Sequence, residues 1–175
     1  MLNKHEIEKL IKEKKLLEDY IDLNTQLTPN GFDLTVNSIF EFTSAGALDF
    51  SNKERALPQQ KELAAQKQKP EDKFGWWALA AGAYKIRTNE TVKLPNDLTA
   101  ICFSRTSLLR MGAFTQHGVW DAGFSGKGEF VLIVGNPQGI KIKQNARVAQ
   151  LAFLPISEVK EGYNGIYNEK IAEKQ

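Results

Sequence analysis

Residues 99–134, TAICFSRTSLLRMGAFTQHGVWDAGFSGKGEFVLIV, set the terms on which the rest of the chain is read. They hold short apolar runs at 99–103, 113–115, 119–121 and 129–134, punctuated by glycine and polar residues. Runs of this length, rich in β-branched and aromatic side chains and bounded by turn formers, read as strands. One interruption, 106–111, keeps helical character for a turn or two before Gly112 stops it. The polar chemistry sits between the runs, in Arg105, Thr106, Ser107, Arg110, His117 and the isolated carboxylate Asp121.

Working outward, the same rhythm continues on both sides. Residues 84–88, 91–94, 140–142 and 148–153 read as further strands, with a turn at Pro95-Asn96-Asp97. Upstream, a Leu27–Gly31 turn precedes Phe32, Leu34 and Val36, which alternate with Asp33, Thr35 and Asn37. Many short strands joined by Gly, Pro and Asn turns predict a mainly β fold, either a barrel or a double-sheet jelly roll. Residues 1–18 predict an N-terminal helix, with Asn3 as cap, Glu6 three residues on, and Ile7, Leu10 and Ile11 on one face. Residues 51–73 are charged and Gln-rich, with Pro58 and Pro70 near their edges. They predict an exposed polar insertion with room for a short helix over 60–66. Trp76 and Trp77 follow, pointing to opposite faces of a strand, and 160–175 form a polar tail.

The bulk numbers set the class. The 175 residues, 42% apolar and 25% charged, are enough for one domain with a real core. A net charge of +2, from 23 basic and 21 acidic residues, gives no case for a nucleic-acid polymer or a membrane surface as partner. Cys102 is the single cysteine, which excludes an internal disulfide and a cysteine-based zinc site. No apolar segment is long enough to cross a bilayer and no signal-peptide core opens the chain, so the expected location is cytoplasmic.

The residues alone leave several roles open. A strand running into a short helix exposes backbone N–H groups. Arg105, Thr106, Ser107 and Arg110 around them either complete a phosphate cradle or make an ordinary capped helix with surface arginines. Asp121, with Gly118, Gly123 and Gly126 nearby, is either a general base for attack on phosphorus or a turn aspartate bonded to its own backbone. Asp33 either anchors a water on Mg²⁺ or faces solvent. Gln150, polar in an apolar strand, either contacts a ligand or points outward. His117 has no partner histidine at ligand spacing and reads as a loop residue whose backbone matters more than its ring. The sequence has no P-loop, dinucleotide fingerprint, HExxH or paired-cysteine pattern.

Taken in order, four segments resemble the motifs of the dUTPase and dCTP deaminase superfamily: PNGFDL, SRTSLLRMG, HGVWDAGFSG and ARVAQLAF. The match spans residues 27–167. Trp77, the run Asn89-Glu90-Thr91-Val92-Lys93-Leu94-Pro95, the N-terminal helix and the tail Tyr163-Asn164-Gly165-Ile166-Tyr167 are similar to the deaminase-like branch. The resemblance implies a dUTPase-like distorted jelly roll or β-barrel with an N-terminal helix and one short internal helix. In that family a deaminase carries a glutamate ten residues past the hairpin aspartate. Here that place is Val131, and Leu132 in the next register, and neither can shuttle protons.

The chain therefore resembles the archaeal-type dUTPase of this branch, hydrolysing dUTP to dUMP and pyrophosphate with Mg²⁺ on the triphosphate. The resemblance implies Asp121 as the base that activates water. It implies Arg105, Thr106, Ser107, Arg110 and Gln150 on the phosphates, and Phe124 under the deoxyribose. Backbone groups of Thr115, Gln116, His117, Gly118 and Val119 would meet the uracil edge. Asp33 would bind the metal through water, and Tyr163 and Tyr167 would close over the nucleotide. It also implies a homotrimer with sites shared between subunits. Two departures stand out: Thr106 replaces a serine but keeps the hydroxyl, and Gln144-Asn145 replaces Pro-Gly, with Asn145 able to adopt αL. Two alternatives stay open. One is a dCTP deaminase, or a bifunctional dCTP deaminase/dUTPase, using Glu129 in a shifted register. The other is a non-catalytic nucleotide-sensing β module.

Overall fold

The computed structural model describes residues 1–168. In chain order the elements are α1 (Lys4–Lys14), β1 (Leu17–Glu18), α2 (Leu23–Gln26), β2 (Leu27–Thr28), β3 (Gly31–Phe42), β4 (Gln60–Glu62), β5 (Trp76–Leu79) and β6 (Gly82–Lys93). Then come β7 (Leu98–Ser104), α3 (Thr106–Arg110), β8 (Ala113–Gln116), β9 (Ser125–Val134), β10 (Ile140–Lys143) and β11 (Arg147–Pro155). The fold is mainly β. The main sheet runs β7-β11-β3-β6-β9-β8, with β1 on β6 and both β2 and β4 on β3, while β10 and β5 form a separate ribbon.

The first and last strands of that path meet through a side chain. Ser104 Oγ, at the end of β7, accepts from the amide of Thr115 on β8 at 2.8 Å and donates to its carbonyl at 3.0 Å. This seam brings the sheet to a nearly closed barrel. Inside it, Phe32, Leu34, Ile39, Ile86, Leu132, Leu151 and Phe153 are fully buried. Each such side chain contributes about 1.5–3 kcal/mol relative to exposure.

The N-terminal helix starts as the cap signal requires. It ends at Lys14, short of the expected residue 18, because Lys15 takes αL with φ +53° and Leu17–Glu18 pair with β6. Asn3 Oδ1 accepts from the amides of His5 and Glu6, the Glu6 carboxylate accepts from Asn3 N, and Ile7 and Ile11 turn inward. The Leu2 amide then donates to Phe153 O, tying the helix to the end of β11. Two short internal helices form where one was expected. α2 is capped by the Asp22 side chain, which accepts from Thr25 N, and α3 is stopped at Gly112 with φ +74°. Asn145 takes αL with φ +68°.

Four more local expectations are corrected. Residues 60–66 do not form a helix: β4 pairs with residues 40–42 of β3, because that edge offers unpaired backbone groups to an extended partner. The insertion is further stitched down by the Trp77 indole N–H, which donates to Leu63 O at 2.7 Å, and by a bridge between Gln66 and Trp76. Residues 84–88 and 91–94 are one strand, β6, with an irregularity between Arg87 and Thr91 where extra residues are accommodated. Residues 119–121 form no strand, only a bridge between Trp120 and Ala100. Finally, β3 does not alternate inside and outside over its first half, since Gly31 to Val36 are all buried. Strands and side chains cover both of its faces there, so Asp33 is not at the solvent.

Candidate active site

The expected site residues fall into two places on the chain. The first is the anion-binding half. Asp33 on β3 lies opposite Gln150 on β11, and Gln150 is also paired with Phe103 on β7. Arg105, the N-cap of α3, points its Nε at Asp33 Oδ2 at 3.0 Å, and Arg147 Nη1 reaches the same oxygen at 3.2 Å. The Asp33 side chain is only 3% exposed. Burial pushes its carboxyl up, and the charges of Arg105 and Arg147 pull it back. Its expected contact with a water on Mg²⁺ would fall to Oδ1, because two guanidiniums share Oδ2. Among the described residues no group of three or more His, Cys, Asp or Glu is placed to hold a metal ion.

The rest of this half is open to a ligand. The N-cap residue of α3 contributes no side-chain cap bond, and Thr106, Ser107 and Arg110 are exposed beside it. Gln150 Nε2 donates to Thr28 Oγ1 at 2.6 Å, and its chain lies so close under Gly31 that a Cβ there would meet Nε2 at 2.9 Å. Arg147 was not singled out by the sequence, although it opens the fourth motif.

The second place is a cavity of about 610 Å³ lined in part by β6 and β9, to which none of Asp33, Arg105 and Gln150 contributes. Gly118, Val119, Asp121 and Phe124 of the hairpin line it, together with Tyr163 and Tyr167 of the tail. The Asp121 carboxylate makes no hydrogen bond or ion pair among the described residues. Its backbone carbonyl closes the turn, accepting from Phe124 N at 3.1 Å. The self-bonded turn aspartate is therefore not what forms. Gly123 has φ +83°, and a Cβ on it would come within 2.6 Å of Gly162 Cα, so the hairpin needs glycine there for both conformation and space.

The tail is laid down on this hairpin. Tyr163 N donates to Ala122 O at 2.8 Å, Asn168 Nδ2 donates to Gly123 O, and the Tyr163 ring packs on Phe124 at 5.9 Å. The tail reading over 160–175 is thus described to Asn168, and its last seven residues lie outside the described part. Sequence reasoning also missed the basic wall of the cavity, Lys85, Arg87 and Lys127, and the insertion's Leu57 and Pro58. The insertion is therefore part of the site's rim. Glu129 lines the same cavity, held by Lys85 Nζ at 2.8 Å with Arg87 Nε at 3.8 Å. Leu132 is fully buried and Val131 does not line the cavity.

His117 differs from its expected loop role. Its ring packs on Phe130 at 4.2 Å, its Nε2 lies 2.8 Å from Thr115 Oγ1, and Nδ1 is buried without a partner among the described residues. Burial pushes its pKa down to about 4, so the ring is neutral at physiological pH. Thr115, Gln116 and His117 do not line the cavity.

This division of a hairpin carboxylate from an Arg/Ser/Gln cradle can be set beside known proteins. A family model described as dCTP deaminase-like matches residues 1–156. The chain belongs to the dCTP deaminase-like family. A Methanosarcina mazei protein named "Probable deoxyuridine 5'-triphosphate nucleotidohydrolase" is 44% identical over 172 residues, covering 97% of each chain. The deoxyuridine 5'-triphosphate nucleotidohydrolase of Methanocaldococcus jannaschii is 36% identical over 142 residues, covering 81% of this chain and 86% of its own. Among solved structures, the 2'-deoxycytidine 5'-triphosphate deaminase of Agrobacterium tumefaciens shares the fold with a TM-score of 0.63 at 21% identity. That match covers 87% of this chain and 46% of the deaminase chain.

No helix among the described residues is long and apolar enough to cross a membrane.

Proposed function

We infer that this dCTP deaminase-like chain is a dUTP diphosphatase, releasing dUMP and pyrophosphate. The observation that carries the reading is the Asp121 carboxylate, lining a nucleotide-sized cavity with no hydrogen-bond or ion-pair partner among the described residues. A carboxylate in that state is available to take a proton from a water attacking the α-phosphorus. Phe124 offers an aromatic floor for the deoxyribose. Backbone groups of Gly118 and Val119, the two residues of the 115–119 stretch that line the cavity, supply donors and acceptors for the uracil edge. A site paired to that edge rejects bases with a different pattern. Arg105, Thr106, Ser107, Arg110 and Gln150 are the groups that hold the triphosphate oxygens. The reading assigns Mg²⁺ to the triphosphate oxygens, where it neutralises charge, and leaves Asp33 Oδ2 to its two arginines. Tyr163 and Tyr167 form the lid side of the cavity.

The cradle and the cavity are separate on one chain, which supports a homotrimer in which each site joins the cradle of one subunit to the hairpin of another. The protein's expected place is the cytoplasm. Separating the products of dUTP, dCTP and dTTP in the presence of Mg²⁺ tests the reading. Pyrophosphate and dUMP from dUTP are expected, with no ammonia from dCTP, because an apolar Val131 stands where a deaminase needs an acid. Ammonia from dCTP would turn the assignment towards Glu129 and deamination. Nucleotide binding with no product from any of the three would turn it towards a non-catalytic sensor.

A further inference from the structure

The mechanism above makes no use of Glu90, yet this carboxylate is fully buried at the irregularity of β6, with no ion-pair partner among the described residues. An unpaired charge in that position is costly unless it is fully hydrogen-bonded. Three donors meet it: Thr35 N at 2.9 Å, Thr35 Oγ1 at 2.5 Å and Gln26 Nε2 at 2.7 Å.

The direction of each bond is fixed by its surroundings. Gln26 Oε1 already accepts from the amides of Ile21 and Asp22, so the atom facing Glu90 is the donating nitrogen. Asn89 Nδ2 donates to Thr35 Oγ1, so the Thr35 hydroxyl proton is turned towards Glu90. The Thr35 amide can only donate. Only an acceptor-only group matches this set, which makes the pocket specific for a carboxylate and not for its amide.

What the three donors share is Asp33. Gln26 Nε2 also donates to Asp33 O at 2.9 Å, and Thr35 follows Asp33 by two residues on β3. Glu90 therefore fixes the backbone that leaves Asp33, at its carbonyl through Gln26 and at Thr35 directly, and the Asp33 side chain holds Arg105 and Arg147. On its other side the Glu90 carbonyl accepts from Thr88 Oγ1, which accepts in turn from Gly128 N beside the cavity.

We propose that Glu90 is a positioning residue for the anion-binding half, setting Arg105 through Gln26, Thr35 and Asp33 without touching substrate. The proposal rests on the dUTP diphosphatase reading for its assay, though not for its binding arm. A residue acting through Arg105 changes phosphate affinity more than the chemical step, and its effect disappears once Arg105 is altered.

The test uses the full-length protein as wild type, Glu90→Gln, Arg105→Lys and the double variant. KM and kcat are measured for dUTP, and Kd for inorganic pyrophosphate by calorimetry. Glu90→Gln keeps the shape but sets an amide nitrogen against a donor. It is expected to raise KM and the pyrophosphate Kd by about tenfold while kcat stays within about twofold. In the Arg105→Lys background the same substitution is expected to add less than about twofold. Equal losses in kcat and kcat/KM, or full additivity in the double variant, would overturn the proposal. Should Glu90→Gln not fold by circular dichroism, Thr35→Val removes one donor, keeps the carboxylate, and is judged by the same two criteria. If wild type binds pyrophosphate but releases none from dUTP, the functional reading fails alone. The pyrophosphate Kd values of the four proteins then still decide the role of Glu90.

Discussion

Asp33 Oδ2 sits 3.0 Å from Arg105 Nε and 3.2 Å from Arg147 Nη1, so one buried oxygen neutralises the inner end of the anion cradle. Replacing Asp33 with Asn leaves two guanidiniums facing each other with no counter-charge. Breaking a fully buried pair costs more, but both arginine side chains are about one-third exposed, so a loss of about 1–3 kcal/mol is expected. For a chain of this size each kcal/mol lowers Tm by roughly 2–4 °C. Differential scanning calorimetry of Asp33→Asn checks this, and an unchanged Tm would show that the pair is not structural.

Asp121→Asn removes the proton acceptor while keeping shape, and the carboxylate gives up no hydrogen bond among the described residues in the exchange. Turnover of dUTP is expected to fall by about 10²–10⁴, with affinity for a non-hydrolysable dUTP analogue unchanged within about threefold. Pyrophosphate release at the parent rate would remove Asp121 from the chemistry.

Ser104→Ala opens the seam between β7 and β8, stranding the Thr115 amide and carbonyl in a half-buried place. A loss of about 1–3 kcal/mol is expected from the unmet groups. Faster amide exchange is expected at Thr115 and not at Ile86 in the middle of β6, which a hydrogen-exchange experiment resolves.

The neutral ring of His117 makes stability depend on acidity. Its folded pKa of about 4 lies below the ordinary 6.5. Between those values the unfolded chain binds a proton that the folded chain refuses, so stability falls as pH drops from about 6.5 to 4. The raised carboxyls of Asp33 and Glu90 act in the opposite sense but are common to parent and variant. His117→Gln is therefore expected to lose less stability than the parent across that window, by about 2 kcal/mol at its acid end. Parallel Tm–pH curves would show that the ring titrates normally.

Much of this architecture was legible because it is local. The strand rhythm, the Asn3 cap, the Gly112 stop and the αL turn at Asn145 all follow from near neighbours in sequence. The helix over 60–66 misread a segment whose shape is decided by the free edge of β3, a partner about twenty residues away. Solvent exposure, one of the two roles open to Asp33, follows from alternation, which holds only where one face of a strand is wet, and β3 is covered on both. Glu90 was within reach of the same rule. Ile86, Thr88, Glu90 and Val92 share a parity with the core, and a charge at a core parity is a signal in its own right. The split between cradle and cavity was not legible from residues alone, since nothing in a linear motif order says which motifs meet within one chain.

The glycine at 128 has a wider meaning. A Cβ there would stand 2.7 Å from the Trp120 ring, one residue from Asp121. A larger residue at 128 needs a smaller ring at 120 and room from Thr88 as well, whose side chain would stand 3.1 Å from the new Cβ. Libraries that diversify this hairpin should recode both codons together, because either change alone would shift the carboxylate rather than the pocket around it.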